Sequence, residues 1–297
     1  MLDVRGTYRS ADFPPSRLAA AKRGRRVSVC IPARDEEATV GQIVAAIRRD
    51  LMEAVPVVDE IVVVDDGSTD GTAAVAAAAG AAVVAAGSLL PEYGGHGKGQ
   101  AMWKGLHATS GDVVVFCDAD VRDFDPAFVM GLAGPLLTRD DVTFVKGFYE
   151  RPVGGRPGEG GRVTELMARP LIAALFPHLN DLSQPLSGEC ASRREILESV
   201  PFVGGYGVDL GLLIDVSDRF GDAGLVQSDL GVRIHRNRPL LELGAQAASI
   251  LQAGLMRAGA VDVPAALTLL RPGAEPASIE FTQLPPLAEV PAHRKTA

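Results

Sequence analysis

The stretch Val113-Val-Val-Phe-Cys-Asp-Ala-Asp-Val121 decides the fold. Four large apolar residues followed by Cys117 make a continuous run too short for a helix, as expected of a parallel strand buried on both faces. At its end stand Asp118 and Asp120, separated only by Ala119. The carboxyl ends of strands in an open α/β sheet are where ligands bind. Paired carboxylates there can hold a hard divalent cation, which takes a diphosphate as a further ligand. An isolated Asp-x-Asp more often simply ends a strand in a solvated turn, so the flanking segments carry the decision.

Outward from that strand, Val27-Ser-Val-Cys-Ile31 reads as the first strand and Glu60-Ile-Val-Val-Val-Asp65 as the second. Pro32-Ala-Arg-Asp-Glu-Glu37 leads from the first into a helix with Val40, Ile43, Val44 and Ile47 on its apolar side. Asp35, Glu36 and Glu37 suit the positive end of that helix, and equally suit a nucleotide base or ribose. After the second strand, Asp66-Gly-Ser-Thr-Asp-Gly-Thr72 is a turn with a helix N-cap signal, followed by an Ala-rich helix to about Gly80. Residues 81–85 form a short third strand. These βα units predict a Rossmann-like half-sheet. No G-x-G-x-x-G follows the first strand and no P-loop is present, which disfavours a dinucleotide site or a nucleotide triphosphatase.

In Pro91-Glu-Tyr-Gly-Gly-His-Gly-Lys-Gly-Gln100, glycines surround Lys98 and allow backbone close to a phosphate; a surface loop would look the same. Pro126 opens a further helix and residues 142–148 a strand. Five glycines from 154 to 161 predict a mobile loop. A helix then starts near Gly161-Arg-Val-Thr-Glu165, where Arg162 and Thr164 suit a phosphate or carboxylate. Gln184–Glu189 reads as a turn into a strand. Gly204-Gly-Tyr-Gly-Val-Asp-Leu-Gly211 opens a helix with Asp209 early in it, and residues 225–230 are a late strand. Arg233, His235, Arg236, Asn237 and Arg238 are the densest basic cluster of the chain, suited to an anion and a metal. Pro239 begins a helix to about Ala258. The Pro-rich tail is expected to be loose at its end.

Composition limits the function classes. The 297 residues are 47% hydrophobic and 22% charged, with a net charge of −8, so a general nucleic-acid surface is disfavoured. Cys30, Cys117 and Cys190 are isolated, without metal-site or redox spacing, and fit buried thiols in a reducing compartment. No apolar run is long enough to span a bilayer, and the polar, basic start lacks a signal core, so no membrane partner and a cytoplasmic location are expected. The chain divides into an extension (1–26), a half that holds the βα units (27–150), a half with the mobile loop near 152–161 and the basic cluster (151–260), and a tail (261–297).

Together, Pro32–Glu37, Val64-Asp-Asp-Gly-Ser-Thr-Asp70 and Asp118-Ala-Asp120 resemble the GT-A family of nucleotide-sugar-dependent glycosyltransferases. The downstream segments Gly161–Glu165, Pro185-Leu-Ser-Gly-Glu189, Gly205-Tyr-Gly-Val-Asp209 and His235-Arg-Asn-Arg-Pro-Leu240 resemble the glucosyl- and mannosyl-3-phosphoglycerate synthases of actinobacterial type. The resemblance covers about residues 20 to 260. It implies a GT-A α/β fold, with the nucleotide-binding half-sheet continuous with an acceptor subdomain. It further implies a homodimer and a divalent metal (Mg²⁺ or Mn²⁺). The implied activity is retaining hexose transfer, from UDP-glucose or GDP-mannose to the 2-hydroxyl of 3-phosphoglycerate.

Residue by residue, the resemblance implies donor contacts from Pro32, Ala33, Glu36, Asp66, Lys98, Asp118, Ala119, Asp120 and Arg233. Asp118, Asp120 and His235 would hold the metal. Gly161, Arg162, Val163, Thr164, Asn237 and Arg238 would hold the acceptor, and Asp209, Asp120 and Lys98 would serve the chemistry. This chain departs from the glucosyl enzymes in having Arg34-Asp35 for Leu-Asn, Asp66 for Ser, and Asp209 for Glu. A carboxylate at position 66 could accept from uracil N3–H or pair with the guanine edge, which leaves the donor base open. A transferase with another small or lipid-linked acceptor, a sugar nucleotidyltransferase, and a non-catalytic nucleotide-sugar sensor are the competing readings.

Overall fold

The computed structural model describes residues 6–150, 161–233, 240–259, 263–271 and 274–294. Its strands are β1 (Thr7–Arg9), β2 (Val27–Ala33), β3 (Glu60–Asp65), β4 (Ala82–Ala85), β5 (Val113–Phe116), β6 (Phe144–Glu150), β7 (Cys190–Arg193), β8 (Phe202–Val203), β9 (Leu225–Val232), β10 (Ala266–Arg271), β11 (Ala274–Glu280) and β12 (Gln283–Leu284). The helices are α1 (Pro15–Ala21), α2 (Val40–Ile47), α3 (Thr72–Ala79), α4 (Lys98–Ala108), α5 (Ala127–Thr138), α6 (Arg169–Leu175), α7 (Arg194–Glu198), α8 (Val208–Phe220), α9 (Leu240–Arg257) and α10 (Pro291–Arg294).

One eight-stranded sheet runs β1-β9-β6-β7-β5-β2-β3-β4. All its pairings are parallel except those of β7, which runs antiparallel to β5 and β6. The strands β4, β3, β2 and β5 are the expected nucleotide-binding half. The order reverses beside β2: the chain passes outward to β3 and β4, then returns through α4 to β5 on the other side. Such a switch point opens a crevice at the strand ends, and it opens where Pro32, Ala33 and Asp118 stand.

Alternation along the strands divides the core into two layers. Val29, Ile31, Val63, Val113 and Val115 face one layer with residues of α1, α2, α3 and α5. Cys30, Val62, Val64, Val114 and Phe116 face the other, with Met102, Trp103 and Leu106 of α4 and Leu213 and Val216 of α8. The three cysteines are free and buried, and burial pushes the Cys190 thiol up to about 12, so none is poised as a thiolate.

Most of the tail is built into the fold. β10 and β11 form an antiparallel hairpin, and β12 pairs antiparallel with β8. Leu284, Leu287 and Val290 are buried in the α4–α8 layer, and Trp103 Nε1 donates to the Pro285 carbonyl at 2.8 Å. Regularly spaced apolar side chains make this Pro-rich stretch a strap. Residues 295–297, the very end of the tail, lie outside the described positions. Leu287 is fully buried, so Leu287→Ala is expected to cost about 3 kcal/mol in urea unfolding. A loss below about 1 kcal/mol would show that the strap is not part of the core.

Candidate active site

The crevice is a cleft of about 290 Å³. Its walls come from the ends of β2 and β5, the start of α4, the turn at 161–164, the start of α8 and the end of β9. Pro32, Ala33, Glu36, Asp66, Lys98, Asp118, Ala119, Asp120, Gly161, Arg162, Val163, Thr164, Asp209 and Arg233 all line it. Thus every proposed site residue within the described positions reaches one cavity, although they span some two hundred residues of chain. His235, Asn237 and Arg238 lie outside the described residues, as does the glycine-rich stretch 151–160. Leu186, Tyr206, Leu243 and Gln246 join the lining without having been singled out from sequence.

Lys98 is the first residue of α4, set by Gly97 at φ 122°. A residue with a Cβ is strained there, so Gly97 lets the chain turn sharply into the helix. The Lys98 ammonium lies 3.0 Å from Asp118 Oδ1 and 3.3 Å from Asp209 Oδ2. A Cβ on Gly188 would fall among these same atoms, so glycine there leaves room for the ion pair. Burial pulls the ammonium down, but Asp118 and Asp209 outweigh it and hold Lys98 well above its ordinary value. It is charged at any physiological pH.

Arg233 supplies the second cation. Its Nη1 donates to Glu189 Oε1 at 2.7 Å, to Asp118 Oδ2 at 3.0 Å and to the Tyr149 hydroxyl at 2.6 Å, and its Nη2 bonds Asp120. Burial pushes the Asp118 carboxyl up, yet Lys98 and Arg233 together hold it well below the usual carboxylate range. Glu189 behaves oppositely: burial raises it, and Arg233 only partly offsets that. Sequence reading quoted Glu189 within a motif but gave it no role. Among the described residues its only local side-chain partner is the Ser187 hydroxyl at 3.2 Å; the cation that gives it a role, Arg233, arrives from the end of β9.

Asp209 sits in the first turn of α8, almost wholly buried. Burial raises its carboxyl, with Lys98 and Lys146 lowering it in part. Its Oδ1 is buried with no hydrogen-bond partner, an arrangement costly enough to point to a missing hydroxyl donor. Lys146, fully buried on β6, donates to the Asp209 carbonyl at 3.2 Å and fixes the helix start from below.

Asp35 and Glu37 hold a neighbouring turn rather than cap α2. Asp35, at φ 56°, accepts from the Thr69 N–H at 2.7 Å, and Glu37 accepts from the Gly71 N–H at 2.7 Å. Asp and Asn tolerate this left-handed conformation better than other residues with a Cβ, so Asp35 holds the turn. Thr39 Oγ1 donates to the Ala119 carbonyl at 2.6 Å and ties this segment to the paired aspartates. Asp66 accepts from the Gly97 N–H at 2.7 Å through Oδ2, while Oδ1 meets His96 Nδ1 at 3.1 Å. His96 is two-thirds exposed, so only that second oxygen is readily exchanged.

The donor set fits a hard divalent cation. Two carboxylates one residue apart face the same cleft and already share a stand-in cation, the Arg233 guanidinium. Among the described residues no three His, Cys, Asp or Glu side chains converge as a finished metal cage. Also among them, no helix is long and apolar enough to cross a membrane.

Comparison with known proteins gives the same picture. The family model described as "Glycosyl transferase family 2" matches residues 28–199. A glucosyl-3-phosphoglycerate synthase of Mycolicibacterium smegmatis is 52% identical over 84% of this chain and 84% of its own. One from Petrotoga mobilis is 41% identical over 80% of this chain and 74% of its own. The crystal structure of the Mycobacterium tuberculosis glucosyl-3-phosphoglycerate synthase with Mn²⁺, uridine-diphosphate-glucose and phosphoglyceric acid superposes with a TM-score of 0.88 at 45% identity, covering 97% of this chain and 99% of that one. The same enzyme with Mg²⁺ and uridine diphosphate gives 0.85 at 46% identity, covering 96% and 98%. A parallel-dominated GT-A sheet, the paired aspartates at the switch point and this level of identity lead to one assignment: the chain belongs to glycosyl transferase family 2 and, within it, to the family of the glucosyl-3-phosphoglycerate synthases.

Proposed function

We propose that this protein transfers glucose from UDP-glucose to the 2-hydroxyl of 3-phosphoglycerate, with retention of the sugar's α configuration and with Mn²⁺ or Mg²⁺ bound. The carrying observation is that Lys98, Asp118, Asp120, Arg233 and Asp209 meet Arg162 and Thr164 across one cleft. Similar proteins carry the name glucosyl-3-phosphoglycerate synthase, and the one from Mycobacterium tuberculosis has been crystallised with UDP-glucose, phosphoglyceric acid and Mn²⁺. A homodimer belongs to this reading, and exposed Leu166, Leu175, Leu251 and Met256 supply apolar surface for it.

Asp118 and Asp120 would hold the metal, together with His235. When bound, it supplies Lewis-acid stabilisation of the charge growing on the departing diphosphate. The chain's own contribution to the same charge is Lys98, placed at the positive end of α4. Asp209 accepts from a substrate hydroxyl through its unpartnered oxygen. The acceptor hydroxyl attacks on the face the diphosphate leaves, and its proton passes to a departing phosphate oxygen. Arg162 and the first helical turn after Gly161 receive the acceptor's phosphate and carboxylate. The base preference follows from Asp66: one exchangeable oxygen suits the single N3–H donor of uracil better than the paired donors of guanine.

The reading is tested with Mg²⁺ or Mn²⁺, 3-phosphoglycerate, and UDP-glucose or GDP-mannose in separate reactions, following diphosphate release and product mass and assigning the anomer by NMR. Release that needs both metal and 3-phosphoglycerate, faster with UDP-glucose, supports it. Equal or faster turnover of GDP-mannose would make the enzyme a mannosyltransferase.

Asp209→Asn separates activity from stability. The variant is expected to lose about 10²-fold in kcat, in keeping with a transition-state hydrogen-bonding group. Its Tm at pH 7 should be equal to or above wild type. The folded-state carboxyl lies above its free value of 3.8, so ionisation weakens the fold at neutral pH, and the difference should vanish as pH falls below that value. A lower Tm at pH 7 would contradict the linkage.

A further inference from the structure

Three carboxylates, Asp118, Asp120 and Glu189, surround one guanidinium at the floor of the cleft, and they are not equivalent. Glu189 and Arg233 are almost wholly buried, with side chains 1% and 4% exposed, whereas Asp118 and Asp120 are 23% and 34% exposed. The Tyr149 ring lies against the guanidinium, with Cζ 5.0 Å from the centroid, and its hydroxyl meets Nη1 at 2.6 Å. The Arg233 N–H donates to the Glu150 carbonyl at 2.9 Å, so the backbone beneath is fixed to β6. The side chain therefore has an inner, buried set of partners (Glu189 and Tyr149) and an outer set (Asp118 and Asp120) that opens to substrate.

We propose that Arg233 is the resident cation of the aspartate pair: it competes with the divalent metal for Asp118 and Asp120, and Glu189 with Tyr149 is the anchor it keeps when it yields them. This rests on the metal-dependent reading above. Two carboxylates one residue apart need a counter-cation. A guanidinium and a divalent ion are alternative solutions to that requirement, and like charges at contact distance in a cleft repel strongly. Metal entry must break the Arg233 contacts to Asp118 and Asp120. The contacts to Glu189 and Tyr149 are out of the metal's reach and hold the guanidinium beside the site. A nucleoside diphosphate arriving there meets both cations and relieves their repulsion. Metal and nucleotide should then bind with positive coupling, part of which passes through Arg233. Glu189 is a positioning residue in this scheme, acting through Arg233.

The experiment measures Mn²⁺ binding to the full chain by electron paramagnetic resonance of free Mn²⁺, with and without UDP. The proteins are wild type, Arg233→Met, and the double variant Glu189→Gln/Arg233→Met, which removes both members of the buried pair and so avoids stranding a charge. Without UDP, both variants are expected to bind Mn²⁺ about tenfold more tightly than wild type, and UDP should tighten Mn²⁺ binding about tenfold less than it does in wild type. Unchanged or weaker Mn²⁺ binding in the folded double variant, or undiminished coupling to UDP, overturns the proposal. Wild-type protein that binds no Mn²⁺ even with UDP would overturn the metal-dependent reading, and this inference with it. Mn²⁺ binding with the expected variant pattern, but no turnover of 3-phosphoglycerate, would uphold the inference and remove only the acceptor.

Discussion

Asp120→Ala is expected to abolish sugar transfer, lowering kcat by about 10³-fold or more, while the protein stays folded. The two halves of that result have separate causes. Asp120 is a third exposed, and its partner Arg233 retains Glu189, Tyr149 and Asp118 when it is removed. No buried charge is stranded, so Tm should move by no more than about 3 °C. Activity depends instead on the second carboxylate of the pair, because one carboxylate alone gives a divalent ion too few fixed oxygen ligands. The measurement is diphosphate release at saturating UDP-glucose, 3-phosphoglycerate and Mn²⁺, beside circular dichroism and thermal unfolding. Loss of less than about tenfold would remove Asp120 from the metal site. Loss of turnover with intact nucleotide-sugar binding and fold would also separate an enzyme from a sensor.

Lys98→Met is expected to damage both activity and stability. The ammonium is the only cation within salt-bridge distance of Asp209 among the described residues, and it shares Asp118 with Arg233. Its removal leaves Asp209 with neither carboxylate oxygen bonded to a cation, in a site where Oδ1 is already unpartnered. Breaking one side of such a buried pair costs about 3 kcal/mol. The same substitution removes a fixed positive charge from the departing diphosphate, which should lower kcat by about 10²- to 10³-fold. The pH dependence follows from the raised ammonium: its stabilisation is complete below the free value of 10.5 and fades only as pH rises through the higher folded value. The stability deficit of Lys98→Met should therefore be constant between about pH 6 and pH 9. A deficit that disappears within that range would mean the ion pair is not its source.

The two predictions draw on different kinds of information. Strands β2, β3 and β5 are legible because each is a short apolar run whose burial on both faces imposes its composition. The paired aspartates, the Pro32–Glu37 segment and the 64–70 turn are legible because ligand chemistry at strand ends constrains neighbours along the chain. Lys98 could be singled out by the glycines around it, and Gly97 at φ 122° gives their reason.

The remaining features depend on elements distant in sequence. Glu189 looks like any residue before a strand until β7 inserts antiparallel between β5 and β6 and brings it to Arg233. Asp35 and Glu37 read as helix-cap acids, yet their partners are the Thr69 and Gly71 amides more than thirty residues away. The Pro-rich tail shows no regular pattern along the sequence because proline suppresses regular elements, whereas β12 pairs with β8 and Leu287 fills the layer above α4. Local composition thus carries the sheet and the chemistry at its strand ends, since backbone propensity and ligand type act on adjacent residues. Which cation each carboxylate meets, and how deeply each is buried, is set by packing between segments as much as 115 residues apart, and those two quantities govern charge at the site.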